Sequence, residues 1–160
     1  MFFHFLSLVF CYLVGAIPTA YLVMRILRGQ DIRTMGSGNS GATNAGRFLG
    51  RSGFFFVLLI DALKAYISLW VAHEICSASP IFFLLSVVAV YLGNAYSPFI
   101  GFAGGKGVAT SVGIMSFLFP LWVIVFNLVL FVCVALWARR VDIASLSAAL
   151  GAPLLLWLSG

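Results

Sequence analysis

MGSGNSGATNAGR, from Met35 to Arg47, and GFAGGKG, from Gly101 to Gly107, interrupt a chain that is otherwise strongly apolar. A bilayer protein keeps irregular backbone and bare cations near its core only where they line a protein-enclosed or watery site. The two stretches therefore mark the working surface, and the segments around them serve as its scaffold. Those segments set the class: 160 residues, 63% hydrophobic and 8% charged, with a mean hydropathy of +1.15, describe a polytopic membrane protein and exclude an ordinary soluble domain. The expected fold is an all-α bundle of about six transmembrane helices with two Gly-rich cytoplasmic loops, the whole of 1–160 forming a single transmembrane domain.

Hydropathy places the spans at about Phe2 to Ile26, Phe54 to Ile75, Ile81 to Phe99, Gly107 to Phe119, Pro120 to Trp137 and Ile143 to Leu158. The first is read as a retained span, because Met1 to Leu6 carry no Lys or Arg whereas Arg25, Arg28 and Arg33 lie at its other end. Of the nine basic residues, Arg25, Arg28, Arg33, Arg47, Arg51, Lys106, Arg139 and Arg140 fall on one side. The excess of positive charge makes that side cytoplasmic, with the N-terminus outside and both glycine loops facing the cytoplasm. The ninth, Lys64, sits inside the second span three residues after Asp61, where the two can share a helix face and neutralise each other, in a structural or a functional pair.

Ten of the sixteen glycines fall in 36–53 and 101–107. Without Cβ atoms the backbone N–H groups are open to a ligand, a composition that suits an anion nest. Ser37, Asn39, Thr43 and Asn44 add neutral hydrogen-bonding groups, Arg47 can grip a phosphate with two donors, and Lys106 supplies a point charge. A tight helix connection is the bland alternative; for Gly15, Gly93, Gly113 and Gly151, which lack such company, turns or close helix packing is the preferred reading. Residues 36–41 satisfy G-x-G-x-x-G, but they follow a membrane helix and no β-α-β unit is available. Gly104 to Gly107 lacks the P-loop spacing, since Ile100 stands where its first glycine belongs.

Several chemistries are excluded or demoted. The net charge of +5 comes without a stacking platform of aromatics, so nucleic acid is not expected. Cys11, Cys76 and Cys133 are far apart and are read as packing residues; no metal site is expected. His4, His73 and Glu74 map to the outer side, leaving no histidine or glutamate as general base beside the loops. An H-x4-D acyltransferase element is also missing, because Val9 and Ala78 occupy the positions five after the histidines. Any acyl transfer here needs an activated donor or a substrate that takes its own proton.

GSGNSGATN at Gly36 to Asn44 and PFIGFAGGKGVAT at Pro98 to Thr110 closely resemble the first two signature motifs of the bacterial acyl-phosphate:glycerol-3-phosphate acyltransferases, PlsY. The resemblance runs from the first span to about Ala152 and takes in Asp61, Lys64 and the basic connection at Arg139 and Arg140. It implies an integral membrane enzyme of phospholipid biosynthesis that moves a fatty acyl group from acyl phosphate to the 1-hydroxyl of glycerol 3-phosphate, giving lysophosphatidic acid and phosphate. Neither coenzyme A thioester, metal nor cofactor is implied. By position Gly36, Ser37, Gly38, Asn39, Thr43, Asn44 and Arg47 match the first phosphate-binding loop, and Gly104, Gly105, Lys106 and Gly107 the second, with Ser37 and Lys106 as the catalytic pair.

The family's third motif, a seventh span ending in His, Asn and Arg, has no counterpart up to Gly160. The chain also reads Gly93-Asn94 where Gly-His is usual, Phe102-Ala103 where Phe-Lys or Phe-Arg is usual, and Asp142 where a small or hydroxyl residue is usual. Two other readings remain open at this point: a non-catalytic phosphate- or phospholipid-binding paralogue, and a small phosphate-ester transporter. Membrane lipid is an expected neighbour, and the sequence names no protein partner.

Overall fold

A computed structural model of the chain describes residues 1–76 and 79–138, and these are helices joined by short loops. They run α1 (Phe2–Ala16), α2 (Thr19–Arg28), α3 (Ala42–Cys76), α4 (Pro80–Ala95), α5 (Val108–Leu118) and α6 (Leu121–Ala138), with one-turn 3-10 helices at Ile32–Thr34 and Pro98–Ile100. Four stretches are long and apolar enough to cross a membrane, Phe2–Arg28, Ala42–Cys76, Pro80–Ile100 and Leu121–Ala138, and Val108–Leu118 is a shorter apolar helix. The sixth expected span, Ile143 to Leu158, lies outside the described residues, as do Gly151, Asp142, Arg139 and Arg140. Compact units form over Met1–Phe117 and over Leu118–Gly160; α6 belongs to the second, and Cys133, expected to be a packing residue, is exposed on it.

In the first unit α1 packs on α4 and α3. Lipid is as apolar as leucine, so helices there are held by close backbone approach and by internal polar bonds. Gly15 faces the Val90 carbonyl and Gly93 faces the Tyr12 carbonyl so closely that a Cβ on either would strike backbone. Gly113 meets the Ala62 carbonyl of α3 in the same way, so all three glycines serve helix packing as expected. Buried Cys11, Ala65, Leu69, Ala72, Val90 and Ile114 fill the space between these contacts. Two serine hydroxyls inside the helices are satisfied by the preceding turn, Ser86 donating to the Phe82 carbonyl at 2.9 Å and Ser116 to the Val112 carbonyl at 2.8 Å.

Two spans are interrupted where the hydropathy reading took them as continuous or as loop. The first breaks at Ile17 and Pro18: proline has no N–H to give and restricts the residue before it, so α1 ends and its last carbonyls lose their helical partners. Side chains from elsewhere in the bundle replace them. Ser97 donates to the Ala16 carbonyl at 2.6 Å, and Lys64 Nζ donates to the Ile17 carbonyl at 2.7 Å. The second interruption is in α3, which starts at Ala42 inside the expected loop and bends at Gly50, where φ 72 and ψ −167 is a conformation open in practice to glycine alone.

Candidate functional site

The first glycine stretch is shaped from within by Asn44. Its Oδ1 accepts from the Ser37 N–H at 3.2 Å, and its Nδ2 donates to the Ile32 carbonyl at 3.3 Å and to the Met35 carbonyl at 3.0 Å. With 1% of its surface exposed, Asn44 spends its amide on the loop itself. Gly36 and Gly38 take positive φ of 56 and 70, and a Cβ on Gly36 would collide with that same amide oxygen. Gly41 then starts α3, its carbonyl accepting from Asn44 and Ala45 at 3.1 Å. Ser37, Thr43 and Arg47 are exposed, and Asn39 is half-buried. Thr43, Asn44 and Arg47 therefore sit on the first turns of a helix, not in an irregular loop.

The second stretch is strapped to the end of α4. Gly104 N–H donates to the Ala95 carbonyl at 3.1 Å and Gly105 N–H to the Asn94 carbonyl at 2.9 Å. A side chain on Gly104 would strike both carbonyls. Gly107, at φ 77, turns the chain into α5, and its carbonyl accepts from Ser111 at 2.7 Å. Lys106 is exposed; its carbonyl accepts from the Tyr91 hydroxyl at 3.3 Å. Among the described residues its ammonium has no ion pair. Both glycine stretches thus feed a helix N-terminus, where free N–H groups and the helix dipole favour an anion.

The two stretches meet. Arg33 Nη1 donates to the Ile100 carbonyl at 2.9 Å, and Ser40 Oγ donates to the Ala103 carbonyl at 3.1 Å. Arg33 is itself held by Asp31, Nη2 to Oδ2 at 2.6 Å, and lies 5.3 Å from the Tyr21 ring centroid. The hydrogen bonds from Arg33 pull the Asp31 carboxyl down to about 2 and Asp31 raises Arg33 in return, so the clasp is ionic throughout the physiological range.

Beneath the junction lies a saturated ion pair. Lys64 Nζ contacts Asp61 Oδ1 at 2.7 Å and donates to Asn94 Oδ1 at 3.2 Å besides the Ile17 carbonyl, which uses all three ammonium protons. Thr19 donates to the same Asp61 oxygen at 2.7 Å. A polar cavity of about 10 Å³, the size of one water, separates this pair from Ser40, Gly104 and Gly105. Thr43 and Arg47 instead line a wide groove of about 510 Å³ together with Arg51, Phe54 and Phe55. Among the described residues no group of His, Cys, Asp or Glu could hold a metal. His4 stacks on Phe82 and His73 meets Phe83 edge to face, at the opposite end of α4 from Asn94.

Comparison with known proteins agrees with this architecture. The sequence profile of Glycerol-3-phosphate acyltransferase matches residues 5–159. The chain belongs to the glycerol-3-phosphate acyltransferase family. A glycerol-3-phosphate acyltransferase of Fusobacterium nucleatum is 39% identical over 150 residues, covering 94% of this chain and 76% of that protein. One from Geobacter sulfurreducens is 42% identical over 144 residues, covering 89% and 72%. The crystal structure of PlsY, an integral membrane glycerol 3-phosphate acyltransferase, in its glycerol 3-phosphate form superposes with a TM-score of 0.88 at 34% identity, over 98% of this chain and 78% of that one. Its lysophosphatidic acid form gives 0.85 at 32% identity.

Within this acyltransferase-family fold, sequence reasoning missed the residues that join the loops: Arg33, Asp31, Ser40, Tyr91 and Asn94. The closely spaced Asp31 and Arg33 were a readable signal for a local ion pair. The others form their bonds between residues fifteen or more apart, which no local pattern displays.

Proposed function

We propose that the chain transfers a fatty acyl group from acyl phosphate to the 1-hydroxyl of glycerol 3-phosphate, forming lysophosphatidic acid. The observation that carries this reading is the joining of two glycine-rich helix N-termini by Arg33 and Ser40, beside the exposed Lys106, whose ammonium has no ion pair among the described residues. Both substrates carry phosphate, and a doubled anion site suits them. Membership of the family and the likeness to PlsY in its substrate and product forms support the same chemistry.

In this mechanism Lys106 and the first N–H groups of α5, which have no helical carbonyl to meet, hold phosphate. Ser37, exposed at the mouth of the first stretch, orients the acceptor. The 1-hydroxyl oxygen attacks the acyl carbonyl carbon, a carboxylic ester bond forms, and the acyl–oxygen bond to phosphate breaks. Phosphate leaves with the bonding electrons. The hydroxyl proton passes to the phosphate dianion of glycerol 3-phosphate, which meets the need for a base where the nearby histidines are absent. Asn44 acts through the loop it holds, Gly36, Gly38 and Gly107 supply the positive φ that shapes the two stretches, and Gly104 and Gly105 tie the second stretch to α4.

The basic residues accompanying both loops favour a site on the cytoplasmic face, and the family resemblance favours a bacterial inner membrane, in a single transmembrane domain with the N-terminus outside. The test is donor choice. Purified full-length chain given glycerol 3-phosphate should form lysophosphatidic acid from palmitoyl phosphate and none from palmitoyl coenzyme A. Transfer from the thioester alone, or from neither, refutes the reading.

A further inference from the structure

Lys64 is carried by α3, and its ammonium reaches two other parts of the bundle: the Ile17 carbonyl beyond the end of α1 at 2.7 Å, and Asn94 Oδ1 in the last turn of α4 at 3.2 Å. Among the described residues the second is the only hydrogen bond between α3 and α4. Asn94, 9% exposed, therefore does what the apolar contacts of these helices do not: it fixes one end of α4 in rotation and height against α3. Ser97, three residues on, holds the chain leaving α4 against the Ala16 carbonyl at 2.6 Å.

The end so fixed carries the second glycine stretch. A helix leaves its last four carbonyls without helical partners. In α4 two of these, Asn94 and Ala95, accept from the Gly105 N–H at 2.9 Å and the Gly104 N–H at 3.1 Å. The fit leaves little slack, since a Cβ on Gly105 would come 3.3 Å from Asn94 Nδ2 and 3.6 Å from the Ser40 carbonyl oxygen. Asn94 thus accepts from Lys64 with its side chain and from Gly105 with its main chain. Lys106 is the next residue, and α5 starts two further on, so a shift in the end of α4 passes to Lys106 through one hydrogen bond and one peptide unit.

An acceptor for the third proton of a buried ammonium is needed for stability wherever that ammonium lies. What sets Asn94 apart is that its own carbonyl carries Gly105. Resting on the acyl-transfer reading, we propose that Asn94 is a positioning residue of the reaction: seated on Lys64, it sets where α4 ends and, through Gly104 and Gly105, where Lys106 and the start of α5 stand. Placement matters because a misalignment of about 1 Å in a substrate-holding group costs on the order of a hundredfold in rate.

Asn94→Ala is the variant to make. The neighbouring polar cavity of about 10 Å³ widens into the vacated space, and water there takes the third ammonium proton, so the fold is kept while the tie between α3 and α4 is lost. Hydrogen–deuterium exchange of the purified full-length chain, read by mass spectrometry, should show the Gly104 and Gly105 amides exchanging about fivefold faster. Steady-state kinetics with palmitoyl phosphate should show a KM for glycerol 3-phosphate raised about fivefold, with kcat within about twofold of wild type. Asn94→Asp, which keeps an acceptor for Lys64, should bring the exchange back to within about twofold of wild type. Leu69→Ala, which cuts into the apolar core of the same unit, should lower Tm yet leave that exchange and that KM unchanged.

A lower Tm for Asn94→Ala with exchange and KM as in wild type reduces Asn94 to the third acceptor of the ammonium and overturns the proposal. So does faster exchange without a change of KM in an active chain, or a rise of KM in Leu69→Ala as large as in Asn94→Ala. If the alanine variant does not fold, Asn94→Ser is judged by the same outcomes. Faster exchange that Asn94→Asp reverses, in a chain that forms no product, refutes the acyl-transfer reading and upholds the tie.

Discussion

Lys64 and Lys106 are the same side chain put to opposite uses. Lys64, 8% exposed, meets Asp61, the Ile17 carbonyl and Asn94; every proton it carries is spoken for, and it closes a helix break that lipid could not solvate. Lys106 is exposed, among the described residues its ammonium has no ion pair, and it sits just before α5, whose first N–H groups have no helical carbonyl to meet. A saturated cation is part of the scaffold. An unsaturated one beside an anion nest is available to a substrate.

Breaking the saturated side should cost the most. Lys64→Met leaves the buried Asp61 with Thr19 alone and takes one of two donors from the Ile17 carbonyl, a loss of about 3–5 kcal/mol in stability. Adding Asp61→Asn should restore part of it, because the uncompensated charge is then gone. Thermal unfolding of the purified single and double variants reads both effects.

The strap between α4 and the second stretch comes next. Gly104→Ala drives a methyl into the Asn94 and Ala95 carbonyls and should cost about 1–3 kcal/mol, since backbone must move to admit it. Activity should fall with stability. Gly105→Ala makes a useful contrast: its Cβ would meet Asn94 Nδ2 at 3.3 Å, an amide end able to shift, so the loss there should be smaller.

Ser40→Ala removes one of the two ties between the loops and leaves the Ala103 carbonyl without it, worth about 0.5–1.5 kcal/mol. The effect should appear in the KM for glycerol 3-phosphate more than in the spans' thermal stability.

The Asp31 to Arg33 clasp gives the smallest effect, and one that depends on pH in a defined direction. The folded Asp31 carboxyl is depressed to about 2, so its contribution is fully present above the ordinary carboxylate value and disappears as pH falls toward 2. The stability difference between wild type and Asp31→Asn should be flat from about pH 8 to pH 5 and close between about pH 4 and pH 2. A difference that varies between pH 6 and 8 would show another titrating group in the clasp.

How far the sequence carried this picture differs between the same two regions. The glycine stretches were legible because their composition departs so sharply from the spans around them, and Gly15, Gly93 and Gly113 were readable as packing glycines because each stands alone among apolar residues. Asp61 and Lys64 were legible as a pair from their spacing. What stayed hidden was the third dimension of each: that Lys64 caps a break at Pro18 a whole span away, and that Asn44 faces into its own loop. The helix start at Ala42 was hidden by the loop-like run before it. The Gly50 bend was hidden because hydropathy does not register one backbone angle.

The central claim, that the exposed cation of the second stretch binds substrate phosphate, is tested most directly at Lys106. Glycerol 3-phosphate binding and acyl transfer should both be measured for Lys106→Ala in protein of unchanged thermal stability. Removal of a charge-assisted contact of roughly 1.5–3 kcal/mol predicts a loss of about ten- to a hundredfold in each. Binding and transfer equal to wild type would contradict the account.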